Sequence, residues 1–138
     1  MISYKNAIIF LNHHIQNANM KKHCLASKAV LQALALKLNE NTEKWGMAGL
    51  LHDNDVEITH ADPYQHGLYA VSMVEGLLSP LTIDAIVIHN EMASGKQRTT
   101  VFNHALAAAE TITELIMATE LVYPDKKLAL VKIKSITK

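Results

Sequence analysis

Apolar residues recur every three or four positions along most of this chain, which is the period of an amphipathic α-helix. The second predicted helix shows the pattern most clearly, and its core-facing stripe comprises Cys24, Ser27, Leu31, Leu34 and Leu38. Asn19 is placed to cap this helix at its start, and the polar segment 39–41 interrupts it. The first predicted helix covers residues 4–16, behind a Ser3 cap. This pattern predicts helices packed on helices.

Capping and breaking residues divide the rest of the chain into further helices. Asp62-Pro63 and Ser79-Pro80 each pair a capping residue with proline, which is a signal for a helix start. The remaining predicted elements are a helix from Thr42 to the His52-Asp53 doublet, a loop over 54–62, helices from 62 and over 81–89, a loop over 93–100, a long helix over 101–122 that Tyr123-Pro124-Asp125 stops, and a last helix from near Lys126. Six or seven helices and no strand predict an all-α fold.

The composition agrees with one compact helical domain. The chain has 138 residues, enough for a core without disulfides, and it is 49% hydrophobic but only 5% aromatic. Residues with high strand propensity do not alternate along it, which disfavours a sandwich or a barrel. No repeat or linker divides the sequence, so a single-domain bundle over 1–138 is expected. The pattern at 133–138 stops in mid-period, which predicts a domain truncated at its C-terminus.

Charge and targeting signals narrow the class of partner. Thirteen basic and thirteen acidic side chains balance, so nothing indicates binding to a nucleic acid polymer or to an anionic membrane. The single Cys24 excludes an internal disulfide and fits a reducing compartment. The N-terminus has no signal-peptide layout, and no apolar run is long enough to span a bilayer. A soluble, cytoplasmic protein is expected.

Eight histidines are the unusual feature of the composition. His52-Asp53 ends the apolar run that starts at Trp45, and burying either polar group is costly unless a partner satisfies it. His23, His66, His89 and Glu110 also lie in or beside predicted helices, whereas His13, His14, His60 and His104 show no partner pattern. Helical bundles build metal sites from side chains on facing helices. Mixed histidine and carboxylate ligands suit Mn, Fe, Co, Ni or Zn better than Ca.

Five segments together resemble the HD-domain superfamily of metal-dependent phosphohydrolases, and the likeness is strongest to its small, stand-alone members. The matching segments are Lys22-His23-Cys24-Leu25-Ala26, Trp45-Gly46-Met47-Ala48-Gly49-Leu50-Leu51-His52-Asp53, His66-Gly67-Leu68, Ile88-His89-Asn90-Glu91 and Ala107-Ala108-Ala109-Glu110. The resemblance implies an all-α fold with a metal site between helices. It implies hydrolysis of a phosphate ester by a metal-activated water.

The resemblance also assigns roles to individual residues. His23, His52 and Asp53 match the first three metal ligands, and Glu110 stands where the family usually has the closing aspartate. His66 and His89 match the histidines that bind a second ion in two-metal members, so that Asp53 becomes the bridging carboxylate. The implied cofactor is one or two divalent ions of Mn, Fe, Co, Ni, Zn or Mg. Asp53 and Asp55 are the predicted catalytic carboxylates.

Two departures from the family pattern bear on activity. Glu110 is one methylene longer than aspartate, so it changes metal preference or weakens the site. Asn54-Asp55 replaces the Ile-Gly of many relatives. Asp55 is interpreted either as a hydrogen-bond partner of a ligating histidine or a metal-bound water, or as a solvated loop acid.

Phosphate binding needs donors besides metal. Lys22, which precedes His23, and Lys96 with Arg98, on the loop after His89, are the candidates. The competing interpretation is that such cations are simply solvated.

Two functions of different class follow from the sequence. The first is an enzyme that hydrolyses a phosphomonoester or phosphodiester of a small phosphorylated molecule such as a nucleotide. The alternative is a non-catalytic metal- or nucleotide-binding regulatory module on the same fold. A purely structural metal is a third interpretation, disfavoured because the ligand candidates exceed the four that structural zinc takes. A homodimer is one oligomeric state that the sequence allows.

Overall fold

Residues 1–137, which a computed structural model describes, form helices and turns and contain no strand. The helices are α1 (Tyr4–His14), α2 (Ala18–Lys37), α3 (Thr42–Leu51), α4 (Val56–Thr59), α5 (Leu68–Val74), α6 (Pro80–His89), α7 (Glu91–Ser94), α8 (Val101–Val122) and α9 (Ile133–Thr137), with a 3-10 turn at Leu128–Leu130. The prediction of an all-α fold is confirmed. Lys138, the last residue of the predicted domain, lies outside the described residues.

Polar side chains cap the starts of α1, α2, α3, α6 and α8. Ser79 caps α6 as predicted, because its hydroxyl accepts from the Thr82 amide. The predicted cap of α2 at Asn19 is wrong, since Asn17 Oδ1 accepts from the Met20 amide at 3.0 Å and starts the helix two residues earlier. The predicted core stripe of α2 is also too long at its end. Leu38 is 48% exposed, because it follows the last helical residue.

The helix predicted to start at Asp62-Pro63 begins only at Leu68. Asp62 Oδ1 accepts from the Tyr64 amide at 2.9 Å, which closes a turn, and Gly67 has a φ of 91° that no helix continues. The amides that start α5 are capped instead by Asp55, which precedes them by more than ten residues. A distant carboxylate therefore replaces the local cap.

Other boundaries also differ from the prediction, each for a local reason. The predicted first helix is two residues too long, because Ile15 is extended. The predicted loop over 54–62 contains α4, and the predicted loop over 93–100 begins within α7. The last helix does not start near Lys126, which has a φ of 48° and so lies in the left-handed region; the chain instead forms the 3-10 turn and then α9.

Helix α3 is the centre of the fold, and every residue from Trp45 to Leu51 is buried. It lies closely against α2 at Gly49, where an added Cβ would come within 2.7 Å of the Ser27 backbone. Glycine therefore permits the two backbones to approach. This contact brings His23, on α2, next to the residues that end α3. Within the described part of the chain, no helix is both long and apolar enough to cross a membrane.

Candidate metal centre

Four histidine side chains converge on the carboxylate of Asp53, which lies just after the end of α3 and is almost completely buried. Asp53 Oδ2 lies 3.0 Å from His23 Nε2 and 3.1 Å from His52 Nε2. Asp53 Oδ1 lies 3.0 Å from His66 Nε2 and 3.8 Å from His89 Nε2. Each carboxylate oxygen therefore faces its own pair of imidazole nitrogens.

The arrangement divides into two triads that share Asp53. The first triad is His23, His52 and Asp53, and the second is Asp53, His66 and His89; within each, the candidate ligand atoms lie within 4.8 Å of one another. Helix α2 and the residue that follows α3 supply the first pair of histidines, and the turn before α5 and the end of α6 supply the second. Four separate segments of the chain are thus brought to one point.

The other ring nitrogen of every one of these histidines contacts a hydrogen-bond acceptor. His52 Nδ1 lies 2.8 Å from the Gly49 carbonyl, and His89 Nδ1 contacts the Ile86 carbonyl. His23 Nδ1 lies 3.1 Å from the Thr113 hydroxyl, and His66 Nδ1 lies 2.7 Å from Asp55 Oδ1. A proton on each Nδ1 leaves the lone pair of each Nε2 available. Metal-binding histidines in proteins are oriented in this way.

The hydroxyls of Thr113 and Ser27 form a buried support for His23 that the sequence interpretation missed. Thr113 Oγ1 lies 3.0 Å from Ser27 Oγ and 2.9 Å from the Ala109 carbonyl, to which it donates. It can therefore accept from both the imidazole and Ser27 while its own proton is used. The available signal was spacing, because Ser27 lies four residues after His23 and one helical turn separates Glu110 from Thr113.

Asp55 is a positioning residue and is fully buried. Its Oδ1 accepts from His66 Nδ1, and its Oδ2 accepts from the amides of Gly67 at 2.8 Å and Ala70 at 3.0 Å. Of the two interpretations of Asp55, the structure supports the hydrogen bond to a clustered histidine, and the solvated loop acid is wrong. Both oxygens of Asp55 thus accept hydrogen bonds from the protein, and its catalytic role stays a prediction.

The electrostatics follow from one buried carboxylate among imidazoles. Burial would raise the pKa of Asp53, but the charge of His52 and the histidine hydrogen bonds outweigh it and hold that pKa well below the usual value. Burial would lower the pKa of His52, but Asp53 raises it to about 9. His66 behaves likewise, with its pKa raised to about 10. Burial and the charges of its two imidazole neighbours lower the pKa of His89 to about 4.

The residues present fit a divalent metal ion. Asp53 Oδ1 is buried and makes no hydrogen bond of acceptable geometry, although His66 Nε2 lies only 3.0 Å away. Nε2 atoms also face one another, at 3.3 Å between His23 and His52 and at 3.1 Å between His66 and His89. At most one proton can lie between two such nitrogens. A cation would satisfy the lone pairs and the carboxylate together.

Comparison with known families agrees with this geometry. The family model described as "HD domain" matches residues 20–121, which is most of the chain and includes all five clustered side chains. The chain belongs to the HD-domain family. Neither a curated protein nor a solved structure matches this HD-domain chain.

Glu110 is the predicted ligand that this HD domain leaves outside both triads. It lies on α8, half-buried, one turn before Thr113. Burial raises the pKa of Glu110. The charge of His52 lowers this pKa, and the charge of Asp53 raises it. The carboxylate is therefore within electrostatic range of the cluster but does not join it. Its role as a metal ligand stays a prediction.

The three predicted phosphate-binding cations each have other surroundings in the structure. The Lys22 side chain is 60% exposed and lies 3.8 Å from Glu120. Lys96 lines a surface cavity to which none of the clustered histidines contributes. Arg98 donates to the His89 carbonyl at 2.8 Å and pairs with Glu91 at 3.3 Å, so its guanidinium supports the end of α6. Contact of any of the three with phosphate stays a prediction.

Asn54, between Asp53 and Asp55, is fully buried. Among the described residues its side-chain amide has no hydrogen-bond partner at either atom. We have no physical account of this residue.

Proposed function

We propose that this HD-domain chain hydrolyses a phosphate ester of a small molecule with one or two divalent metal ions. The observation that supports it is the convergence of four Nε2 atoms on the two oxygens of one buried aspartate. When bound, a divalent ion lowers the pKa of a water molecule and polarises a phosphoryl oxygen. Two ions sharing Asp53 would suit an in-line displacement, because they act on the attacking and leaving oxygens.

The protein residues around the cluster keep Asp53 charged and fix the orientation of the histidine rings. Asp53 stays ionised because its pKa is lowered by the surrounding histidines, so it offers an anionic oxygen to each triad. The acceptors on Nδ1 fix the rings and leave each Nε2 free to act as a ligand. Burial of the cluster keeps bulk water away, which strengthens electrostatic interactions within it. A partly exposed His66, and a cavity that borders His23, leave access for a substrate.

Turnover of simple esters tests this proposal. The full chain, supplied separately with Mn, Co, Ni, Zn, Fe or Mg, is assayed on p-nitrophenyl phosphate and bis-p-nitrophenyl phosphate. We expect hydrolysis with at least one metal and a loss of about 100-fold or more in His52→Ala, since removing even an outer partner of a ligand costs 10- to 100-fold. His104→Ala is the matched control, because His104 is exposed on α8 and outside both triads. Absence of turnover with every metal, or turnover that His52→Ala leaves intact, contradicts the proposal.

A non-catalytic metal-binding module is the second candidate. Its support is the position of Glu110 outside the triads together with the dispersal of Lys22, Lys96 and Arg98. This candidate predicts that metal raises the melting temperature while no ester is cleaved. Glu110→Gln tests whether Glu110 is a metal ligand or a carboxylate outside the site, because glutamine keeps the size of the side chain and removes its charge. If Glu110 is a ligand, metal affinity falls strongly in this variant. If it acts only through its charge from outside the triads, the fall is small.

A further inference from the structure

A cavity of about 460 Å³ lies beside the first triad, and His23 forms part of its wall. The start of α2, the segment of α4 and the turn after it, and the second half of α8 enclose it. Its volume falls within the range of small-molecule sites in proteins. A phosphoryl group on the metal cluster would therefore direct the rest of the molecule into this cavity.

The cavity wall is chiefly apolar. Met20, Val56, Met117 and Leu121 contribute most of its hydrophobic side chains. The wall contains no lysine or arginine, so far as the described residues show. Its titratable side chains are two carboxylates, Glu57 and Glu114, and two imidazoles, His23 and His60. Lys21 lies within electrostatic range of Glu57 but does not line the cavity. An anionic group in this cavity would therefore meet two carboxylates and no lysine or arginine of the wall.

The carboxylate of Glu57 is held by backbone amides at the start of α2. Its carboxylate accepts from the Gln16 amide at 2.8 and 2.9 Å and from the Asn17 amide at 2.8 Å. These backbone hydrogen bonds lower the pKa of Glu57, so the wall keeps its negative charge near neutral pH. The cavity thus combines an apolar surface with a permanent anion at its edge.

We propose that this cavity binds the organic part of the substrate, and that the substrate is a phosphate monoester of an apolar alcohol without a second anionic group. The inference rests on the proposed function for the position of the phosphoryl group. It excludes polyphosphates and phosphorylated acids as preferred substrates, because the wall carries two carboxylates and no lysine or arginine. Apolar contact with α2, α4 and α8 supplies the binding energy.

A series of alkyl esters tests the inference on the Mn-loaded full chain. Burial of each methylene favours binding by up to about fourfold, so even half of that free energy makes kcat/KM for hexyl phosphate about 30-fold higher than for methyl phosphate. We expect 5-carboxypentyl phosphate, which ends in a carboxylate, to lose most of that gain. Equal kcat/KM across the alkyl series, or a preference for the carboxylate or for AMP over hexyl phosphate, overturns the inference while leaving the proposed function intact.

A matched pair of variants places the effect in the cavity. Ala118 lines it and Ala108 does not, and both are exposed on α8. Ala118→Phe is expected to lower the hexyl-to-methyl ratio of kcat/KM by at least about fivefold, because the ring occupies space for roughly two or more methylenes. Ala108→Phe is expected to keep the ratio. A ratio unchanged by Ala118→Phe contradicts the assignment.

A binding measurement decides the inference even if the chain cleaves no ester. Titration calorimetry compares hexylphosphonate with methylphosphonate, neither of which can be hydrolysed at the C–P bond by this chemistry. Tighter binding of the hexyl compound, weakened by Ala118→Phe, supports the cavity even where the proposed function fails. Equal affinity of the two phosphonates overturns it.

Discussion

Replacing Asp55 by asparagine tests whether this buried carboxylate orients the second triad. Asp55 accepts three hydrogen bonds, one from His66 Nδ1 and two from the amides that start α5. Asparagine keeps the size but has one oxygen and one amide nitrogen. Whichever way it turns, a donor faces another donor.

Each orientation of the new side chain has a distinct consequence. If its nitrogen faces the backbone, the amides of Gly67 and Ala70 lose their acceptor and the start of α5 is uncapped. If its nitrogen faces His66, Nδ1 must lose its proton and Nε2 must carry it, so that Nε2 can no longer bind metal. Losing a hydrogen bond to a charged group costs about 1.5–3 kcal/mol, so the free energy of unfolding should fall by about that amount.

The effect on metal binding should be confined to the triad that contains His66. Loss of an outer hydrogen-bond partner lowers metal affinity by about 10- to 100-fold. We therefore expect Mn²⁺ titration calorimetry of D55N to show one ion bound 10- to 100-fold more weakly and the ion at His23 and His52 retained. Asp62→Asn is the matched control, because the Asp62 carboxylate accepts from the Tyr64 amide in a nearby turn and contacts no clustered histidine, while its backbone carbonyl is unchanged by the substitution.

The outcome can refute the argument in two ways. If D55N binds both ions as wild type does while the melting temperature shows an intact fold, Asp55 does not orient His66. If both ions weaken equally, the two triads are not separable and the division of ligands between the oxygens of Asp53 is wrong. A melting curve of the metal-free variant separates either result from unfolding.

Three further predictions follow from the cluster and its support. Thr113→Val removes the hydroxyl that accepts the Nδ1 proton of His23, so metal binding at the first triad should weaken 10- to 100-fold when measured by calorimetry. Thr113→Ser keeps a hydroxyl and should bind metal as wild type does. Equal metal affinities of the two variants would refute this role of Thr113. The raised pKa values of His52 and His66 stabilise the metal-free protein fully below about pH 6.5, and the stabilisation, at most about 3 kcal/mol for His52, is lost as pH rises through 9 to 10. Melting temperatures with chelator should therefore fall over that range, and bound metal, which displaces these protons, should flatten the dependence; a flat metal-free profile would contradict it. Gly49→Ala should lower the free energy of unfolding, measured in urea, by about 1–3 kcal/mol or more, because the new Cβ would meet the α2 backbone at 2.7 Å. Gly46→Ala should lower it less, because there the new Cβ meets only the flexible side chain of Gln32. Equal losses of stability in the two variants would refute this explanation.

The sequence pattern was sufficient where a signal is local. The 101–122 helix has its predicted bounds, and the Tyr-Pro-Asp segment ends it as predicted. Thr100 and Asn103 form a capping box at its start, which is a local signal that the sequence interpretation did not use. The spacing of apolar residues likewise predicts the all-α fold. Boundaries failed where the partner is distant, as at α5, whose cap is Asp55 rather than the neighbouring Asp62.

The same distinction holds for the site. The sequence by itself determined which residues are chemically able to bind metal, since histidine next to aspartate after an apolar run is costly to bury without a partner. Only the tertiary structure decided how they are arranged. It divided the histidines between the two oxygens of Asp53, left Glu110 outside the two triads, directed the Arg98 guanidinium to the His89 carbonyl, and supplied Thr113. The physical reason is that ligand geometry depends on helix packing, here the close approach of α2 and α3 at Gly49, and no local pattern encodes that approach.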